Sequence, residues 1–168
     1  MTNESKTLFI PLYGKAVMSK EDFIIDAHAE RILEVYPEYF ENVDMSRKLA
    51  IYMAMRALQY DEIASTFITK DPICTVIHLG CGLDSRKTRI HKTPLKWYDI
   101  DFPEVITERE RFYQSTDTYY MIGMDSRNSA LFDLIPMSDS AIVIMEGISM
   151  YFQIEELQEV DETVLNID

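Results

Sequence analysis

CTVIHLGCGLDSR, Cys74 to Arg86, is the stretch whose reading decides the fold. Its first part, CTVIHLG, is a short run rich in β-branched and apolar residues, the pattern of a buried strand. Its second part, GCGLDSR from Gly80 to Arg86, is a glycine turn at that strand's carboxyl end. Open parallel sheets bind ligands at the carboxyl ends of their strands, and glycine there allows positive φ and close approach to the backbone. The chain has 5 glycines, Gly14, Gly80, Gly82, Gly123 and Gly147, and three of them fall toward the ends of predicted strands. A lone GxG remains a weak signal, because strand-ending turns also use glycine for steric reasons.

Downstream of the turn the same kind of run recurs in LKWYDID (Leu95 to Asp101), YYMIGMD (Tyr119 to Asp125) and SAIVIMEG (Ser140 to Gly147). FPEVITERERFYQ and NSALFDLI fill two gaps as helices, and SRKTRIHKTP leaves room only for a short one. Strand and helix in alternation predict a parallel sheet with right-handed crossovers. IEELQEVDET reads as a further helix, and VLNID, if a fifth strand, closes the sheet early. Upstream, Ser19 with Asp22 forms a candidate capping box, and Phe23, Ala27, Ile32, Leu33 and Tyr36 recur at helical spacing until Pro37. A longer helix from about Ser46 to Phe67 places Leu49, Met53, Tyr60, Ile63 and Phe67 on one stripe. Arg56 lies midway between Leu49 and Ile63 and within about 40° of both, so it is expected on the apolar face, either paired with an anion, such as Asp61, a strand-end acid or a ligand carboxylate, or snorkelling to water. The fold class predicted is α/β: a Rossmann-like parallel sheet with a helical N-terminal layer and a truncated or shortened C-terminal part. Residues 1–70 make the helical layer, and residues 71–168 the Rossmann-like cofactor-binding part of the same domain.

Composition bounds the function. A chain of 168 residues, 47% hydrophobic, supports one well-buried core. With 16 Lys and Arg against 29 Asp and Glu, the net charge of −13 repels a polyphosphate backbone, which argues against nucleic acid as a partner. The most apolar run, around Ala141 to Met145, is cut by Glu146 and falls short of the ~20 residues that span a bilayer, so no membrane segment is expected. The N-terminus lacks a basic start followed by a long apolar stretch, and a cytoplasmic location is expected. Cys74 and Cys81 read as reduced thiols, and His28, His78 and His91 form no ligand cluster, so no metal is expected.

Asp99 and Asp101 end the second predicted strand about twenty residues after the glycine turn, the offset of a ribose-binding acid. Two residues apart on a strand, they share a face; a solvated acidic strand end is the plainer alternative. The third strand ends in Asp125 and the fourth in Glu146, so successive strands deliver a glycine turn and then three acids to one edge. Other polar residues have ordinary readings. Ser149 lacks the second glycine of a nucleophile elbow. His78 reads as a core residue, Tyr113, Tyr119 and Tyr120 as packing residues, and ERERF (Glu108 to Phe112) as a solvated helix face.

Taken in order, LGCGLDSR, WYDIDFPEVI, IGMDSRN and MEGISMYF resemble the motifs of the leucine carboxyl methyltransferase family, including its bacterial members related to polyketide O-methyltransferases. PLYGKA (Pro11 to Ala16) and MAMRALQYDEI (Met53 to Ile63) extend the resemblance, which covers about Pro11 to Phe152. It implies S-adenosylmethionine as cofactor. Gly80, Cys81 and Gly82 would back its methionine portion, with Asp84 in the same cofactor-binding turn, and Asp101 would take the ribose hydroxyls. Asp125 and Ser126 would face the adenine, Glu146 and Gly147 would line the reacting end, and Lys15 and Arg56 would hold the methionine carboxylate. Ser85 stands where the family often has threonine, and the regions that follow Tyr151 in the family have no match. The implied activity is O-methylation of a carboxyl or hydroxyl group on a small molecule, a protein C-terminus being the weaker alternative; no residue marks itself as a general base. Two rivals are a shortened, inactive cofactor-binding module of the same fold and an NAD-dependent oxidoreductase. The oxidoreductase would have Ser85 in place of the third glycine of GxGxxG and leaves Asp125 and Glu146 unexplained.

Overall fold

A computed structural model of the chain describes residues 9–41, 43–136 and 138–165. They fall into two compact units: the described residues up to Ile63 together with Leu83–His91, and Ala64–Gly82 together with the described residues from Lys92 onward.

The first unit is helical. Helix α1, Phe9–Lys20, ends where Asp22 takes a left-handed φ of 58°. Phe23 N–H then bonds the Met18 carbonyl and Asp22 N–H that of Ser19, a Schellman closure with aspartate in the place glycine usually takes. The capping box expected at Ser19 and Asp22 is therefore corrected, since those residues close one helix and do not open the next. Helix α2, Ala27–Val35, is capped by Asp26, whose carboxylate accepts the Ala29 N–H at 2.9 Å. Helix α3, Arg47–Lys70, begins at Ser46, whose hydroxyl accepts the Leu49 N–H.

The buried stripe of α3 is also corrected. Ala50, Ala54, Ala57, Asp61, Ala64 and Ile68 are its buried positions, at alternating spacings of four and three, whereas Leu49 and Ile63 are 38% and 56% exposed. Small side chains let backbones approach closely, and Ala50, Ala54 and Ala57 form one cluster with Met18 and Ile24. Gly14 belongs to the same close packing, since a Cβ there would lie 3.1 Å from the Cβ of Met53. Arg56 is half-buried on the flank of the true stripe, its guanidinium 6.0 Å from the centre of the Tyr52 ring.

The second unit carries a four-stranded, all-parallel sheet: β1 (Thr75–Leu79), β2 (Lys96–Asp101), β3 (Tyr119–Gly123) and β4 (Ala141–Met145), in the order β3-β2-β1-β4. The chain winds outward from β1 to β3 and then returns to the far side of β1, which places a topological switch between β1 and β4. Central β1 is buried throughout, while β4 is half-buried along most of its length. Ile77, Leu79, Tyr98 and Ile100 pack with Leu131, Ile135 and Val160 into one apolar core. A short helix α4, Arg86–Arg89, follows the glycine turn, and helix α5, Pro103–Arg109, follows β2 and is shorter than the run that predicts it. The final helix, Ile154–Leu165, includes Val164 and Leu165, so the fifth strand considered for VLNID is corrected at its first two residues; the remaining three lie outside the described residues. No described helix is long and apolar enough to cross a membrane.

Candidate functional site

In the sheet unit, parallel register aligns the strand ends. Leu79 of β1 pairs with Ile100 of β2 and with Met145 of β4, so the next residues, Gly80, Asp101 and Glu146, come to one edge at the carboxyl ends of the strands. Asp101 pairs in turn with Gly123 of β3, two residues before Asp125. The Cys81 N–H continues the ladder to the Ile100 carbonyl at 3.1 Å.

Glycine is required at two positions of the turn. Gly80 has φ 62° and Gly82 φ 52°, and a Cβ on Gly80 would lie 2.4 Å from Cγ2 of Ile148. Asp101, buried at the end of β2, accepts the Gly82 N–H on Oδ2 at 2.7 Å and the Phe102 N–H on Oδ1 at 2.8 Å. A carboxylate offers about four lone-pair directions. The two backbone contacts use one on each oxygen, leaving one on each for a ligand, a match to a pair of adjacent hydroxyls. Burial raises the Asp101 carboxyl above its ordinary value, partly offset by these two N–H donors.

Asp99 is different from its neighbour. It is 0% exposed, which corrects the solvated strand end, and it is surrounded by donors. Oδ1 receives the Trp97 indole N–H at 2.8 Å and lies 3.1 Å from His78 Nδ1; Oδ2 receives Arg109 and, at 2.6 Å, the Tyr119 hydroxyl. Burial opposes its ionisation, but Arg109, His78 and Tyr119 prevail and hold the carboxyl well below the usual range. Fully engaged, it has no direction left for a ligand. Arg109 is likewise 0% exposed, so ERERF is corrected at this residue, while exposed Arg111 pairs with half-buried Glu108 at i,i+3. The sequence carries the signal: Arg109 lies three and four residues after Ile106 and Val105, both buried, and so on their helix face. Tyr119 does more than pack, since its hydroxyl is part of this network.

Asp125 is chelated by its own neighbour, the Arg127 guanidinium, at 2.6 to 3.2 Å, and this hydrogen bond holds the carboxyl below its ordinary value. Ser126, Glu146 and Gly147 are half-buried, and Gly147 has φ 77°.

In the helical unit, Lys15 is 3% exposed and its ammonium lies 2.6 Å from Asp84 Oδ1. Asp84 also receives Arg89 at 2.8 Å and Arg86 at 3.3 Å. Arg89 reaches Asp61 and Asp26 as well, and the Ser85 hydroxyl donates to Asp26. Three cations and three carboxylates thus form a neutral, mostly buried cluster that anchors residues 84–89. Cys74 and Cys81 are buried and unbridged.

The leucine carboxyl methyltransferase family model matches residues 15–165. The chain is 32% identical over 156 residues to the tetracenomycin polyketide synthesis O-methyltransferase TcmP of Streptomyces glaucescens, covering 91% of this chain and 58% of that protein. It is 25% identical over 175 residues to the S-adenosyl-L-methionine-dependent methyltransferase dpfgK of Gibberella zeae, covering 94% and 59%. The chain spans about three fifths of the length of these curated relatives.

Proposed function

The chain belongs to the leucine carboxyl methyltransferase family, and on that premise we propose that it is an S-adenosylmethionine-dependent O-methyltransferase acting on a carboxyl or hydroxyl group of a small molecule. The observation that carries this reading is the carboxylate of Asp101, held by the Gly82 and Phe102 N–H groups with one acceptor direction left on each oxygen. That pair of acceptor oxygens fits the two donating hydroxyls of a ribose diol. The Gly80 to Gly82 turn at the carboxyl end of β1 would back the methionine portion, with Asp84 just beyond it. Asp125 and Ser126 serve the adenine, and Glu146 and Gly147 the reacting end. The family resemblance gives Lys15 and Arg56 the methionine carboxylate. A cytoplasmic location goes with this reading.

When bound, the cofactor supplies an electrophilic methyl carbon. The protein's task is then to hold the acceptor oxygen in line with it, and a carboxylate acceptor needs no base. Incubation with methyl-labelled S-adenosylmethionine and a panel of aromatic carboxylic acids and phenols tests the proposal. A base-labile labelled product identifies a methyl ester and a base-stable one an ether. No labelled product from any acceptor, at protein concentrations that give robust S-adenosylhomocysteine binding, would leave the inactive-module reading standing.

A further inference from the structure

Arg109 lies fully buried behind the glycine turn and hydrogen-bonds it at Gly82. Nη2 pairs with Asp99, Nε lies 3.2 Å from the Tyr119 hydroxyl, and the Tyr113 ring centre is 4.1 Å from the guanidinium carbon. These contacts fix the guanidinium plane. The remaining nitrogen, Nη1, donates to the Gly82 carbonyl at 3.0 Å. Gly82 has no side chain to pack and sits at positive φ, so its conformation must be set from outside. Its N–H is tied to Asp101 and its carbonyl to Arg109. Both peptide planes that flank its Cα are therefore restrained. Neutralising Asp99 alone would need only a point charge; bridging Asp99 and a carbonyl from one rigid plane needs a guanidinium.

We propose that Arg109 is a positioning residue for ribose recognition: by holding the Gly82 carbonyl it keeps the Gly82 N–H aimed at Asp101, and so fixes the orientation in which that carboxylate accepts the two hydroxyls. The inference rests on the cofactor reading above.

The test compares S-adenosylhomocysteine with its 2′-deoxyribose analogue by calorimetry. Wild-type protein should prefer the riboside by about tenfold or more, the loss of one hydrogen bond to a charged acceptor. Arg109→Lys keeps the charge beside Asp99 but loses the bridge, and the preference should fall to about threefold or less, whatever happens to stability. A folded Arg109→Lys that weakens both ligands equally, keeping the wild-type ratio, overturns the proposal. Should that variant not fold, Tyr119→Phe takes its place, since it removes one hydroxyl from both Asp99 and Arg109. A reduced ratio there supports the proposal and an unchanged ratio overturns it. Wild-type protein that binds neither compound would overturn the cofactor reading itself, a different result from a wild type that discriminates and variants that discriminate equally well.

Discussion

Replacing Asp99 by asparagine should be among the most damaging single-atom changes in this chain. Both oxygens of Asp99 accept two donors each, from His78 and Trp97 on one side and from Arg109 and Tyr119 on the other. An amide keeps one oxygen and turns two N–H groups toward whichever pair it faces. If it faces Arg109, a fully buried guanidinium confronts a donor. If it faces Trp97, the indole N–H, which can only donate, is orphaned. In either orientation Arg109 loses its buried countercharge, a change that costs about 3–5 kcal/mol. At ~2–4 °C per kcal/mol for a chain of this size, the midpoint of thermal unfolding should fall by roughly 6–20 °C. Urea unfolding followed by circular dichroism measures the loss directly, with Glu34→Gln, in the exposed pair with Arg31, as a control expected to change by no more than ~0.5 kcal/mol. The pH dependence has a definite sign. The folded carboxyl of Asp99 lies below its ordinary 3.8, because Arg109, His78 and Tyr119 outweigh the opposing burial. A depressed acid contributes stability that is fully present above the unfolded value and is lost as pH falls through the folded one. The advantage of wild type over the variant should thus be constant above about pH 5 and shrink as pH drops below the ordinary carboxylate range. A loss under about 1 kcal/mol at neutral pH would refute the reasoning.

Three further outcomes are expected. Gly80→Ala should lose about 2 kcal/mol or more, from its φ of 62° and from the 2.4 Å approach to Ile148; adding Ile148→Ala should recover only the steric part, read by the same urea titration. Ala54→Leu, on the buried stripe of α3, should cost about 1–3 kcal/mol, while Ile63→Ala, on the exposed side, should stay within ~0.5 kcal/mol; the reverse order would restore the stripe read from the large residues. Asp101→Ala should weaken S-adenosylhomocysteine binding by about 1–3 kcal/mol in calorimetry, and unchanged affinity in a folded variant would remove Asp101 from the site.

The strands were legible because parallel strands buried on both faces leave continuous apolar runs, and those runs stop at glycine or acid. CTVIHLG and LKWYDID therefore show their boundaries to within a residue or two. The helices were less legible. In α3 the eye follows Leu49, Tyr60 and Ile63, but the packing runs through alanines, whose small size is what close helix approach demands. The sequence places the start of α2 too early because Ser19 and Asp26 are both good caps, and only the left-handed turn at Asp22 decides between them. At the site, the glycines and Asp101 follow from spacing, since the offset from turn to acid is a local property of one strand-helix-strand unit. The Asp99 network does not follow from spacing: a carboxylate and a guanidinium ten residues apart read as surface charges until the sheet brings them together.

Calorimetric titration of the wild-type chain with S-adenosylhomocysteine and, separately, with NADH tests the central claim most directly. Saturable binding of S-adenosylhomocysteine near one per chain, with no measurable binding of NADH, is the expected result. Binding of NADH without S-adenosylhomocysteine would contradict the account.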